Sequence, residues 1–346
     1  MPNKLNLKWI AALAAAAALL ALPAAAQATL VFTRQTLNPV IWSANDNGSH
    51  ARVIAHGTNP RISPDGKTIA YYRIQKAHGY RAELVVIPAD GSGSPRLLLP
   101  NWSESYVFDW SPDSTTVAAI TGPEMGKKRL VLINVATGAQ RTISKGYFSG
   151  VSFSPDGKEL AFSKAGSENY PPRSDVYDAE LATGTIVQLT HDKRSQTPLW
   201  GPAGQIVFVK LLGEKSRKYG PKSDLFLMNT SGGEVKRLTH TKVDPLLFGL
   251  SPTQWSASGK QLLTEFGGQD TTYAVTVNPA TGAEKTLTKE RETGFVGTAL
   301  SADGSTVLGS IGGFEPGPGH KVVTIPYAGG KPKTLAANAS EPDWNR

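Results

Sequence analysis

Phe153-Ser154-Pro155-Asp156-Gly157 is one copy of a short phrase that returns along nearly the whole chain. Its relatives are Ile62-Ser63-Pro64-Asp65-Gly66, Trp110-Ser111-Pro112-Asp113, Trp200-Gly201-Pro202-Ala203-Gly204, Trp255-Ser256-Ala257-Ser258-Gly259 and Leu300-Ser301-Ala302-Asp303-Gly304. A seventh begins at Trp344-Asn345. Subtracting successive anchor positions gives intervals of 48, 43, 47, 55, 45 and 44 residues. A period of roughly 40–50 residues with several short strands per copy is the mark of an all-β propeller.

Each copy predicts a four-stranded antiparallel blade. The anchor ends an inner strand, and the Asp-Gly turn suits a hairpin because Gly accepts positive φ and Asp bonds its own backbone. Apolar second strands follow at 68–73, 116–121, 159–164, 205–210, 261–266 and 306–311. Third strands end in a second set of turns, such as Asp90-Gly91, Thr137-Gly138 and Thr281-Gly282. Segments 29–34, 40–44 and 52–55 supply three strands without an inner one, and Pro342-Asp343-Trp344 supplies an inner strand without successors. Joined, they make a composite blade that leaves no long exposed edge. Seven blades are expected. Six would follow if the Trp255 copy, after its 55-residue interval, were an insertion.

The short Gly turns gather on one face. Second-to-third and outer-to-inner connections gather on the other and vary in length, from 35–39 to long segments at 212–224 and 239–254. Function usually sits on variable loops carried by a rigid scaffold.

Bulk features bound the setting. The 35 Gly and 24 Pro suit many short strands, and the absence of Cys excludes disulfides, thiol nucleophiles and thiolate metal sites. Lys4 and Lys8 precede an apolar run from Trp9 to Leu22, then Pro23 and Ala24-Ala25-Ala26-Gln27-Ala28. This predicts a signal peptide over 1–28, cleaved after Ala26 or Ala28, with a single propeller domain over 29–346. The run is shorter than the roughly 20 residues of a membrane span, so an integral membrane protein is not expected. The expected compartment is the periplasm or the exterior. Removing Lys4 and Lys8 lowers the formal charge from +8 to +6, a scattered excess that favours anionic partners, and export argues against nucleic acid.

Pro60 through Gly66, Phe153–Gly157 and Pro342-Asp343-Trp344 resemble the Pro-x-Trp-Ser-Pro-Asp-Gly repeats of the TolB-like family of propellers. The resemblance covers about residues 29–346. It implies a stand-alone propeller without the family's N-terminal α/β domain, and binding of proteins or envelope components in the periplasm. It carries over no catalytic residue and no cofactor.

The variable face carries the candidate sites. Basic loops gather Lys76 and Arg81; Lys127, Lys128 and Arg129; and Lys215, Arg217, Lys218 and Lys222, with Tyr80 and Tyr219 among them. Such a surface suits an acidic protein, a glycan or another anionic envelope partner. The residues before the anchors predict a channel mouth with Arg61 flanked by Asp109 and Asp343, and with Gln254 nearby. A guanidinium between carboxylates either clamps the ring or receives a charged chain end or cation. His56, His78, His191, His240 and His320 fall on the same face. A metal held by His78, His191, His240 or His320 would support the competing reading, a metal-dependent polysaccharide lyase or lactone hydrolase. No Gly-x-Ser-x-Gly is present, so a serine hydrolase is not expected. The expected molecule is a monomeric binding or scaffolding propeller, not an enzyme.

Overall fold

The computed structural model describes residues 29–75, 81–102, 108–123, 126–167, 173–213, 222–241, 247–268, 272–288, 294–312 and 319–345. Among the described residues every helix or strand element is a β-strand, and the pairings are antiparallel. Five sheets have four strands and one has seven.

The anchor turns explain themselves locally. Ser63 Oγ donates to Asp65 Oδ1 at 2.6 Å, which also accepts the Lys67 amide at 3.0 Å. The Thr68 amide returns to Ser63 Oγ at 3.0 Å, and Gly66 takes a φ of 72°. The pattern repeats from Ser111 to Asp113, Ser154 to Asp156 and Ser301 to Asp303. Where Ser258 replaces Asp, the Lys260 amide lies at 3.4 Å from its hydroxyl, a weaker turn. The second strands that follow are buried on both faces, since each sheet packs against two neighbours. Thr116–Thr121 and Glu159–Ala165 are accordingly near-continuous apolar runs.

Two features differ from simple repetition. The strand Gln140–Phe153 pairs with Lys128–Asn134 through its first half and with Glu159–Ala165 through its second. One unit's outer strand therefore runs unbroken into the next unit's inner strand, and the expected connecting loop is absent. The strand Leu247–Trp255 heads its own sheet with Leu262–Gly268, Thr272–Val277 and Glu284–Thr286. Much of 239–254, expected as a long loop, is thus strand.

The termini share a sheet. Thr29–Arg34 pairs with Val40–Asn45 on one side and with Ser340–Trp344 on the other, and Arg52–His56 lies outermost. Trp110, Trp200, Trp255 and Trp344 are 7–8% exposed and wedge between neighbouring sheets. Trp344 packs with Leu30, Phe32, Ala299 and Leu308, and its Nε1 donates to Leu300 O at 2.8 Å. Among the described residues no helix is long and apolar enough to cross a membrane.

Candidate functional site: the inner strands and their mouth

The inner strands share an irregularity at one height. Register shifts fall between Thr58 and Arg61, Phe148 and Val151, Gln196 and Leu199, Pro252 and Gln254, and Gly297 and Ala299. In three strands a non-glycine residue before a proline takes a left-handed backbone: Asn59 at φ 53°, Thr197 at 49° and Glu341 at 53°. Such positions are costly for L-residues and are kept only where surroundings hold them. Glu341 Oε2 accepts the Asn59 amide at 2.7 Å, so two of these positions brace each other across the seam. Gly150 occupies the same position in another strand, where a Cβ would meet Thr197 Cα at 2.8 Å.

One step along each strand, the residue before the anchor reaches the next sheet. Asp343 Oδ2 accepts the Ile62 amide and Asp109 Oδ2 the Phe153 amide, both at 3.0 Å. Ser152 Oγ accepts the Trp200 amide at 3.2 Å, and Gln254 Oε1 the Leu300 amide at 2.8 Å. Three of the four expected mouth residues, Asp109, Gln254 and Asp343, are therefore inter-sheet clasps. Of the two carboxylates expected to flank Arg61, Asp343 is the one placed beside it. Arg61 Nη1 lies 4.0 Å from Asp343 Oδ1, with the arginine side chain 38% exposed, while the Asp109 carboxylate accepts a backbone amide.

Glu265, on the second strand Leu262–Gly268, was not legible as a site residue. It stands opposite Ser251 of the inner strand and is half-buried. Loss of water raises its carboxyl above the usual 4.5, and the charge of Arg61 opposes that shift.

The repeated Ser-Pro-Asp-Gly turn, the four-stranded sheets and the clasped inner strands meet in one comparison. A family model described as the TolB beta propeller domain matches residues 74–344. The chain belongs to this family. The Tol-Pal system protein TolB of Francisella tularensis subsp. holarctica (strain OSU18) is 30% identical over 129 residues, covering 35% of this chain. The match spans only 28% of that relative's length. Among solved structures, TolB from Acinetobacter baumannii has a TM-score of 0.55 at 17% identity, covering 91% of this chain and 82% of that one. The β-propeller domain of the Trilobed protease from Pyrococcus furiosus has a TM-score of 0.62 at 17% identity, with coverages of 90% and 95%. An oligogalacturonate lyase from Vibrio parahaemolyticus has a TM-score of 0.56 at 13% identity, with coverages of 89% and 84%. Likeness at these identities concerns the fold alone. The Pyrococcus domain is described as having an open velcro topology, whereas here Ser340–Trp344 pairs with Thr29–Arg34.

In this TolB-family propeller much of the remaining polar sequence is also engaged internally. Asp224 is fully buried and accepts from Arg237 through both Nε, at 3.0 Å, and Nη2, and from the Thr241 amide at 3.0 Å. Asp175 has the equivalent place in the preceding sheet, accepting from Gln188, Thr190 and the Lys193 amide. Each Asp ties a third strand to an outer one ending in Leu-Thr-His. The discoverable signal was an Asp fifteen residues before each of those threonines. On the rim, outer-strand cations reach carbonyls of the next sheet: Arg52 to Ala89, Arg96 to Val135, Arg141 to Leu181 and Lys285 to Ala328.

Of the residues expected on basic loops, Lys127 is exposed and precedes a strand, whereas Lys128, half-buried, and Arg129, exposed, belong to the strand Lys128–Asn134 itself. Lys222 is drawn into the Asp224 cluster, its Nζ 3.7 Å from the carboxylate. Arg81 opens the strand Arg81–Pro88. Lys76, Tyr80, Lys215, Arg217, Lys218 and Tyr219 lie outside the described residues, as does His78. His191 and His240 are exposed just past equivalent outer strands, and His320 is buried at 5% exposure. Among the described residues no three His, Cys, Asp or Glu side chains are placed to hold a metal ion.

Proposed function

We propose that the chain is an exported propeller of seven blades, closed by the composite sheet, whose variable face and channel mouth bind a protein or anionic envelope component. Seven inner strands end in the seven anchors, and the Trp255 copy has a complete sheet of its own. These support the blade count. The N-terminal charge pattern and Ala24–Ala28 support export, so the mature chain is expected to begin at Gln27 or Thr29 on N-terminal sequencing.

One observation carries the binding reading. The polar residues of the repeat are taken up in turns, clasps and strand ties, whereas Lys127 and Arg129 stand exposed on the loop side, where such residues are available to a partner. Membership of the TolB propeller family adds the envelope setting. A protein acting as a monomeric docking platform needs no further chemistry.

The test is retention of partners from an envelope extract by the mature protein. The K127E/K128E/R129E variant is expected to lose about tenfold in retention, some 1.4 kcal/mol, with unchanged thermal stability. Undiminished retention would remove the site from this loop. Metal analysis on the same sample discriminates the lyase reading: a stoichiometric metal lost on replacing His191 and His240 would favour it.

A further inference from the structure

Each anchor residue wedges between its own strands and those of the preceding unit. It is Trp at 110, 200, 255 and 344, but smaller at Ile62, Phe153 and Leu300. Beside Leu300 the space is taken by Tyr327, whose hydroxyl donates to Val277 O of the preceding sheet at 2.7 Å. Beside Ile62 the Asn345 side chain closes on the anchor turn, where a Cβ on Gly66 would stand 2.8 Å from its Nδ2. Beside Phe153 the counterpart of Tyr327 is Leu181. Its amide donates to Lys158 O at 2.9 Å, as the Tyr327 amide donates to Ser305 O at 2.8 Å. Leucine is shorter than tyrosine and has no hydroxyl, and phenylalanine is smaller than tryptophan. A cavity of about 270 Å³ lies there, between the two halves of the seven-stranded sheet that Gln140–Phe153 joins.

The cavity has an apolar base and a charged rim. Leu132 and Phe153, both buried, and the half-buried Leu181 supply the base, while Asp113, Arg141 and Asp156 are exposed. Arg141 crosses from one half of the sheet to the other, its Nη2 donating to Leu181 O at 2.8 Å. That bond ties the guanidinium to both sides of the cavity and leaves its other N–H groups for a ligand. The aspartates are set by their turns: Ser111 Oγ donates to Asp113 Oδ1 at 2.5 Å, and Ser154 Oγ to Asp156 Oδ1 at 2.7 Å. These bonds hold both carboxyls below the usual 3.8, so both are ionised at neutral pH. With Lys158 Nζ 3.5 Å from Asp156 Oδ2, the rim carries charges of both signs in balance.

We propose that this cavity binds a single uncharged pyranose unit, its hydroxyls on Asp113, Arg141 and Asp156 and its C–H face on Leu132, Phe153 and Leu181. A hydroxyl both donates and accepts, so adjacent hydroxyls can give to a carboxylate and take from the guanidinium. An anion would meet the two carboxylates, and a cation the guanidinium. An apolar base with a few placed polar groups is the usual make-up of a small-molecule site, and a volume just below the usual range of about 300–1,000 Å³ restricts the ligand to one ring. Thr116 also lines the cavity, whereas Arg129 pairs with Thr121 at the far end of the same strand. The site is therefore on the short-turn face, away from Lys127 and Arg129, and stands or falls independently of the partner proposed above.

The experiment is calorimetric titration of the purified mature protein with the methyl glycosides of glucose, galactose, mannose and N-acetylglucosamine, beside ethylammonium and acetate as charged probes. At least one glycoside is expected to bind with one-to-one stoichiometry, about tenfold more tightly than either charged probe. Phe153→Trp fills the cavity with the wedge used at other interfaces and is expected to weaken that binding about tenfold or more, with thermal stability kept. Arg141→Met and Asp113→Asn, both at the exposed rim, should each weaken it about tenfold, and they carry the test if Phe153→Trp does not fold. Thermal unfolding of every variant checks that the fold persists. Undiminished binding by the folded variants would overturn the site. Failure of all the glycosides to bind would overturn sugar recognition, and tighter binding of a charged probe would overturn the neutral ligand. Partner retention by F153W, scored beside the charge-reversed loop, separates these outcomes from failure of the docking surface.

Discussion

Asp178 is a carboxylate whose position works against the folded state. Its Oδ1 is buried without a partner, and Glu159 and Glu180 oppose each other across the same pair of strands. Burial first, then the charge of Glu159, pushes its pKa from 3.8 up to about 7. The folded protein therefore keeps a proton that the unfolded chain has released, so stability falls as pH rises from about 4 to about 7. Asp178→Asn is expected to stabilise the protein at pH 8 by roughly 1–2 kcal/mol, a figure reduced for solvent screening of a partly exposed group. At pH 4 the variant and the parent should unfold alike in urea. The opposite case is Asp303, whose pKa is lowered to about 2 by hydrogen bonds from Ser301 and Ser305. That turn was legible because every partner lies within two residues. Asp178 was not, because what surrounds it depends on which strand faces which.

At the scale of elements, the tie between third and outer strands decides how firmly a blade's edge is held. Asp224 and Asp175 do the same job with different partners: a guanidinium at one and an uncharged amide at the other. Removing Asp224 leaves Arg237 and Lys222 facing a hole without their counter-ion, whereas removing Asp175 leaves Gln188 and Thr190 neutral. Asp224→Ala is expected to cost about 3 kcal/mol, the lower end for a broken buried pair because both cations retain access to water. Asp175→Ala is expected to cost about 1–2 kcal/mol. Urea unfolding of the two variants checks the ranking, and equal losses would mean that charge contributes nothing at Asp224. The Leu-Thr-His ends were visible as equivalent positions. Their aspartate partners shared a fifteen-residue spacing from each threonine, but what that spacing meant depended on the antiparallel register of the third strand.

For the whole molecule, the seam at the termini is the element most sensitive to chain length. Deleting 340–346 removes Trp344 from its cluster, unpairs Thr29–Arg34 and takes away the Asp343 and Glu341 contacts to the neighbouring sheet. The truncated protein should expose an edge strand, with earlier proteolysis near residues 29–45 and a tendency to associate on size exclusion. A milder probe, Trp344→Ala, is expected to cost about 3–5 kcal/mol without opening the edge. If truncation left the proteolysis pattern intact, the terminal pairing would not be what holds the first strand.

The repeat period, the anchor turns, the inner-strand tryptophans and the partnership of the two termini were all determined by the sequence itself. Each rests on a pattern that a single unit displays: a turn closed over five residues, or an apolar strand required on both faces. The shared strand Gln140–Phe153 and the clasps between inner strands were decided only by the tertiary structure. Ile62 and Asp343 are 281 positions apart in the chain and 3.0 Å apart, amide to carboxylate, in the fold. No local pattern encodes such a contact. It exists because stacking twisted sheets around an axis brings the first and last strands together, and hydrogen bonds are selective only over the few ångströms that this packing establishes.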